Sequence, residues 1–65
     1  MVTVDPHLGE ALAHFLVRCR ETARSTGLPV SGTFEGVTFF VEGRMTDGEL
    51  AQAYVDAKRL KIRAS

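Results

Sequence analysis

Within eight residues, Gly43-Arg44-Met45-Thr46-Asp47-Gly48-Glu49-Leu50, the chain carries a stop signal followed by a helix start. Gly43 lacks a Cβ and can take the left-handed conformation that closes a preceding helix. Thr46 and Glu49 have the spacing of a capping box, in which each side chain accepts a hydrogen bond from the other residue's backbone N–H. Met45 and Leu50 occupy the flanking apolar positions of a hydrophobic staple. A helix therefore starts at Thr46 and is expected to run from Asp47 to about Lys61. Its core stripe is Leu50, Ala53, Tyr54, Ala57 and Leu60, with Ala51, Val55 and Ile62 as a thinner apolar strip on another side. That strip is either a contact surface or a set of scattered surface residues.

The rest of the chain reads in the same way. Residues 1 to 4 look like a loose end, and Asp5-Pro6 fits the cap and first position of another helix. Leu8, Leu12, Phe15, Leu16, Cys19 and Ala23 follow at spacings of three and four and form an apolar stripe. His7, Glu10, His14, Arg18 and Glu21 fall on the opposite side. Gly27 stops this helix, Leu28 is placed to fold back onto it, and Pro29 prevents continuation.

The segment from Val30 to Glu42 has two readings. As a hairpin turning at Glu35-Gly36, it pairs Phe34 with Val37, Gly32 with Phe39 and Val30 with Val41 on one apolar face. As a helix, it is capped by Ser31 and stopped by Gly43, with Phe34, Val37, Thr38 and Val41 on a stripe. The stop-then-start brackets on both sides favour the helix, although Gly36 inside it costs about 1 kcal/mol relative to Ala. The expected fold is an all-α, compact three-helix domain, with αββα and a central β-hairpin at residues 30–42 as the alternative.

Sixty-five residues make a single small domain with a modest core. One cysteine permits no internal disulfide, and no Cys/His cluster suggests a structural zinc. A partner or a second copy of the chain is the remaining source of stability. Hydrophobic residues at 45% exclude a disordered chain, and eight basic residues against eight acidic argue against charge-driven nucleic-acid binding. No apolar run reaches the length of a membrane span, and no basic leader opens the chain, so a cytoplasmic setting is expected.

Chemistry-bearing patterns are few. His7, Glu10 and His14 could share a helix face, but two turns separate the imidazoles and no fourth ligand is present, so a solvated face is the expectation. Cys19 lies on the apolar stripe, away from any base, and reads as a buried structural thiol. Lys58, Arg59, Lys61 and Arg63 suit a helix C-terminus, where positive charge meets the dipole. No phosphate loop, catalytic triad or cofactor motif is present, and no enzymatic activity is expected.

Ser31-x-x-x-Glu35-Gly36 resembles the inhibition motif of antitoxins that silence Fic-domain adenylyl transferases. A long first helix, a Gly stop, a short second helix and a Thr46-capped last helix likewise resemble the layout of VbhA-type antitoxins, over residues 8–63. By that layout the family's Glu falls at Thr26, whereas the literal motif lies one element later. The resemblance implies inhibition by obstruction. Glu35 would pair with a toxin arginine that orients the ATP γ-phosphate, and Ser31 would help to hold Glu35. The sequence-based expectation is a cytoplasmic protein-binding module of the antitoxin or inhibitor type. Ser31, Glu35 and Gly36 form its inhibitory set, and Phe39, Phe40, Val55 and Ile62 are its contact residues. Its partner is another protein, a Fic-type toxin by the resemblance, or a second copy. The alternative is a nucleic-acid-binding regulator using Arg18, Arg20 and Arg24 or the basic end.

Overall fold

A computed structural model describes residues 1–64, with side chains as far as Ile62. The element order is β1 (Val2–Val4), α1 (Leu12–Thr26), β2 (Val30–Phe34), β3 (Val37–Val41) and α2 (Asp47–Ala64). The three strands form one sheet in the order β1-β2-β3. β1 runs parallel to β2, with Val2 opposite Val30, and β2 runs antiparallel to β3. This is a two-layer α/β domain, not the expected all-α three-helix bundle.

The middle segment decides the difference. β2 and β3 pair Phe34 with Val37, Gly32 with Phe39 and Val30 with Val41, the register of the hairpin alternative. Along β3, Val37, Phe39 and Val41 are buried while Thr38 and Phe40 are exposed, which is a period of two. Two glycines that count against a helix are requirements of the hairpin. Gly36 has φ +78° in the two-residue turn, beside Glu35 at φ +51°. Gly32 faces α1, where an added Cβ would stand 3.1 Å from Cys19 Sγ and 3.2 Å from Phe15 Cζ.

The loose end expected at residues 1–4 is instead β1, whose Val2 N–H donates to the Pro29 carbonyl at 3.1 Å. The first helix begins at Leu12 rather than at Pro6. Gly9 at φ +79° breaks the helical path before it can start, and a tight turn from His7 to Glu10 replaces it. Leu8, expected on the core stripe, lies in this loop and is fully exposed. Gly27 ends α1 in the left-handed conformation, at φ +70°, its N–H donating to Ala23 O at 2.9 Å. Gly43 does no such service. Its α-carbon lies against α1, where a Cβ would sit 2.9 Å from Arg24 Cγ and 3.1 Å from Arg24 Cα, so it is a point of close approach.

Both helices cover one face of the sheet. Phe15, Leu16, Cys19 and Ala23 of α1 meet Val30, Val37, Phe39 and Val41 of the sheet and Leu50 and Tyr54 of α2. Four rings close a cycle, Phe15–Phe34–Tyr54–Phe39, with centroid separations of 5.8 to 6.3 Å. Such offset and edge-on pairs add about 0.5–1.5 kcal/mol each beyond the area they bury. The opposite face of the sheet is uncovered. There the register aligns Thr3, Ser31 and Phe40 in one row and Thr33 with Thr38 in the next, the last two joined by a 3.0 Å hydroxyl contact.

The expected capping box is formed. Thr46 N–H donates to Glu49 Oε1 at 3.0 Å, and Glu49 N–H donates to Thr46 Oγ1 at 3.2 Å. Thr46→Ala removes the acceptor for one orphan donor and should lower stability by about 1 kcal/mol. The shift in urea midpoint measures this, and an unchanged midpoint would show that the cap contributes nothing.

Candidate functional site

The most elaborate polar cluster lies at the start of α1. Glu10 just precedes the helix, and its side chain is 3% exposed. It accepts from His7 N–H at 2.9 Å, from Arg18 Nη2 at 2.9 Å and from Arg18 Nε at 3.1 Å, and meets His14 Nδ1 at 2.5 Å. Arg18 also donates to the Asp5 carbonyl and lies over the Phe15 ring, 5.4 Å from its centroid. The Arg18 guanidinium, followed by the His7 N–H, holds the Glu10 carboxyl down to about 2. Glu10 is therefore an anchor for the β1–α1 loop and not part of a solvated helix face. Among the described residues no group of His, Cys, Asp and Glu is arranged to hold a metal.

Two further arginines of α1 work in the same way. Arg20 Nη1 donates to Asp47 Oδ1 at 2.7 Å and to the Met45 carbonyl at 3.1 Å. Arg24 Nε donates to the Gly43 carbonyl at 2.8 Å. The three arginines that could form a phosphate-binding row on α1 are thus each committed to a loop. Cys19 is fully buried beneath the sheet, and burial pushes its thiol up to about 11, which leaves a thiol with little nucleophilic form.

The residues expected to act together are distributed differently. Glu35 and Gly36 form the tip of the hairpin, and Glu35 is exposed. Among the described residues it has no hydrogen-bond or ion-pair partner. Ser31 lies near the start of β2, opposite Phe40 and Thr3. Four extended residues span about 13 Å, so Ser31 and Glu35 do not meet as they would one turn apart on a helix. Phe39 is 2% exposed and belongs to the core, while its neighbour Phe40 is 55% exposed. Val55 and Ile62 are exposed on α2 as expected, whereas Leu60, assigned to the core stripe, is 65% exposed. The side chain of Arg63 in the basic end lies outside the described residues.

One tether matters for the site. Lys61 Nζ donates to the Gly36 carbonyl at 2.9 Å, fixing the C-terminal part of α2 to the hairpin tip. Glu35 and Ile62 therefore flank the same corner of the molecule. The chain matches no family model, no curated protein and no solved structure. No helix among the described residues is long and apolar enough to cross a membrane.

The Glu10 cluster carries a pH dependence. The ordinary carboxyl value of 4.5 applies to the unfolded chain, and the folded value is about 2. The unfolded state thus takes up its proton first as pH falls. The stabilisation is full above 4.5 and is lost progressively between 4.5 and about 2. Urea midpoints measured across that window should fall with acid. Glu10→Gln should flatten most of the slope, with a remainder from Glu49, whose carboxyl is lowered by the Thr46 cap. An equally steep slope in the variant would remove Glu10 from this role.

Proposed function

We propose that the chain is a non-enzymatic protein-binding module that inhibits its partner, with Glu35 at the hairpin tip as the inhibitory group. The observation that carries this reading is the backbone of Glu35. A two-residue turn of this type favours Asn or Gly, because both central residues take positive φ. Glu35 occupies such a position at φ +51°, and no partner among the described residues compensates for it. An acidic residue kept in a left-handed conformation at an exposed tip costs on the order of 1 kcal/mol, and such outliers concentrate at sites of function.

An exposed carboxylate on a tight, hydrogen-bonded turn is preorganised to meet a guanidinium. The motif resemblance suggests a Fic-type toxin, whose nucleotide-orienting arginine would be that group. Ile62, at the same corner, supplies apolar area beside the carboxylate, and Val55, two helical turns before it on α2, extends that area along the helix. In this arrangement the apolar residues contribute affinity and Glu35 contributes inhibition. Ser31 has no part in it. The committed state of Arg18, Arg20 and Arg24 weighs against the nucleic-acid reading, and a salt titration separates the two, since phosphate-driven binding weakens steeply with salt.

Glu35→Asn tests the proposal, because Asn suits the turn and lacks the charge. The variant should be more stable by about 0.5–1 kcal/mol as the left-handed residue becomes a favoured one. It should also bind the protein encoded by the neighbouring reading frame with little loss, yet release that protein's nucleotide-transfer activity. A more stable variant that silences the partner as fully as wild type would sink the inhibitory role of Glu35.

A further inference from the structure

We infer that Lys61 is the positioning residue for Glu35. Its ammonium holds the hairpin tip against α2 in the shape that offers the Glu35 carboxylate, unpaired, to a guanidinium. The inference rests on Glu35 being the inhibitory group. It starts from a turn that the sequence makes weak. Glu35 and Gly36 sit at φ +51° and +78°. Glycine takes such a conformation freely, but in glutamate the Cβ crowds the following carbonyl oxygen. Phe34 and Val37 exchange the hydrogen bonds that close the turn, so the Gly36 carbonyl lies outside the ladder and is left for another donor.

Lys61, 25 residues further along the chain, supplies that donor at 2.9 Å. Helical register delivers it. Lys61 follows Tyr54 by two turns, which puts both on one face of α2. Tyr54 packs edge-on against Phe34 and Phe39, with 6.3 and 5.8 Å between centroids, so this face lies along the strands that carry the turn. The approach is close. A Cβ on Gly36 would stand 2.5 Å from Lys61 Nζ, so the glycine serves the tether as well as the turn. Beyond Ala57 no described side chain of α2 belongs to the core, and this end of the helix is joined to the tip by a polar contact.

The same contact keeps the site open. Lys61 bonds the backbone, and Glu35 beside it makes no ion pair among the described residues. A turn braced through its carbonyl, with its carboxylate unpaired, is preorganised for a charge-assisted bond to an incoming cation. Ile62 is the next residue on α2, so a partner that packs against Ile62 also steadies the residue that braces Glu35.

Lys61→Met keeps the aliphatic stem and the helix propensity and removes the donor, whereas Lys61→Arg keeps a donor. Both are compared with wild type and with Glu35→Asn, first as the isolated chain and then with the protein encoded by the neighbouring reading frame. For Lys61→Met, circular dichroism should match wild type and the Gly36 carbonyl resonance should shift. The Val37 amide, which closes the turn, should exchange at least about threefold faster. The partner should bind within about threefold of wild type, yet its inhibition should weaken by at least about tenfold. Lys61→Arg should return both readouts most of the way. An unchanged Gly36 resonance and Val37 exchange rate in Lys61→Met overturn the inference on the isolated chain alone. So does full inhibition by Lys61→Met where Glu35→Asn has lost it. Inhibition that Lys61→Arg restores without restoring the Gly36 resonance assigns Lys61 to direct contact with the partner, and this too overturns the inference. Full inhibition by Glu35→Asn removes Glu35 as the inhibitory group, and the positioning role falls with it.

Discussion

α1 can lie close to the sheet because the central strand has no side chain at Gly32. Phe15 and Cys19 occupy the space that a Cβ there would enter, at 3.1 to 3.3 Å from it. This seating places Phe15 between Phe34 and Phe39 and so closes the cycle of rings with Tyr54. It also sets the height at which α1 meets the connecting segments. Gly43 then passes against the Arg24 backbone, and the arginines of α1 come within reach of the two connections, before α1 and between β3 and α2, that have no regular structure of their own. A core this small stabilises only part of a 65-residue fold through apolar area. The remainder of the order comes from side chains of α1 that bind loop carbonyls and carboxylates.

Local signals were legible where the chemistry is contained in a few neighbouring residues. The Thr46–Glu49 cap, the Gly27 stop and the buried face from Phe15 to Ala23 all depend on contacts within one helix, and sequence spacing reports them directly. The hairpin register was also readable, yet the choice between hairpin and helix was not. Phe34, Val37 and Val41 satisfy both periods, and the deciding facts lie elsewhere in the chain. Gly32 needs α1 above it before its missing side chain counts in favour of a strand. β1 is three residues long, too short for any alternation to register, and exists only because the β2 edge accepts it.

The polar residues were misread for a related reason. Glu10 and Arg18 share a helical face if the helix is continued back to Pro6, and that face then looks solvated. Gly9 turns the chain instead, and the same spacing folds Glu10 under the guanidinium. Ser31 and Glu35 looked like neighbours only on a helix. What remained legible at the proposed site was the acid-glycine pair at the turn, because a Glu in place of the usual Asn is visible in the sequence once the hairpin is known. Phe39 and Phe40 could be separated only by the strand's alternation, which sends one to the core and the other to the surface.

The parallel pairing of β1 with β2 has a kinetic meaning. Val2 meets Val30 across the whole of α1, whereas β2 and β3 meet across a two-residue turn. Closing the larger loop costs more entropy, and three residues return little for it. The hairpin and its helices can therefore assemble while the first strand is still unattached, and β1 is the last piece secured and the first to come away. Whenever it does, the side of β2 that it covered is bared, and a five-residue margin replaces the three-residue one. In that short-lived form the first strand of one molecule can settle on another, so the weakest element of the sheet is also the route by which strands could be exchanged between copies.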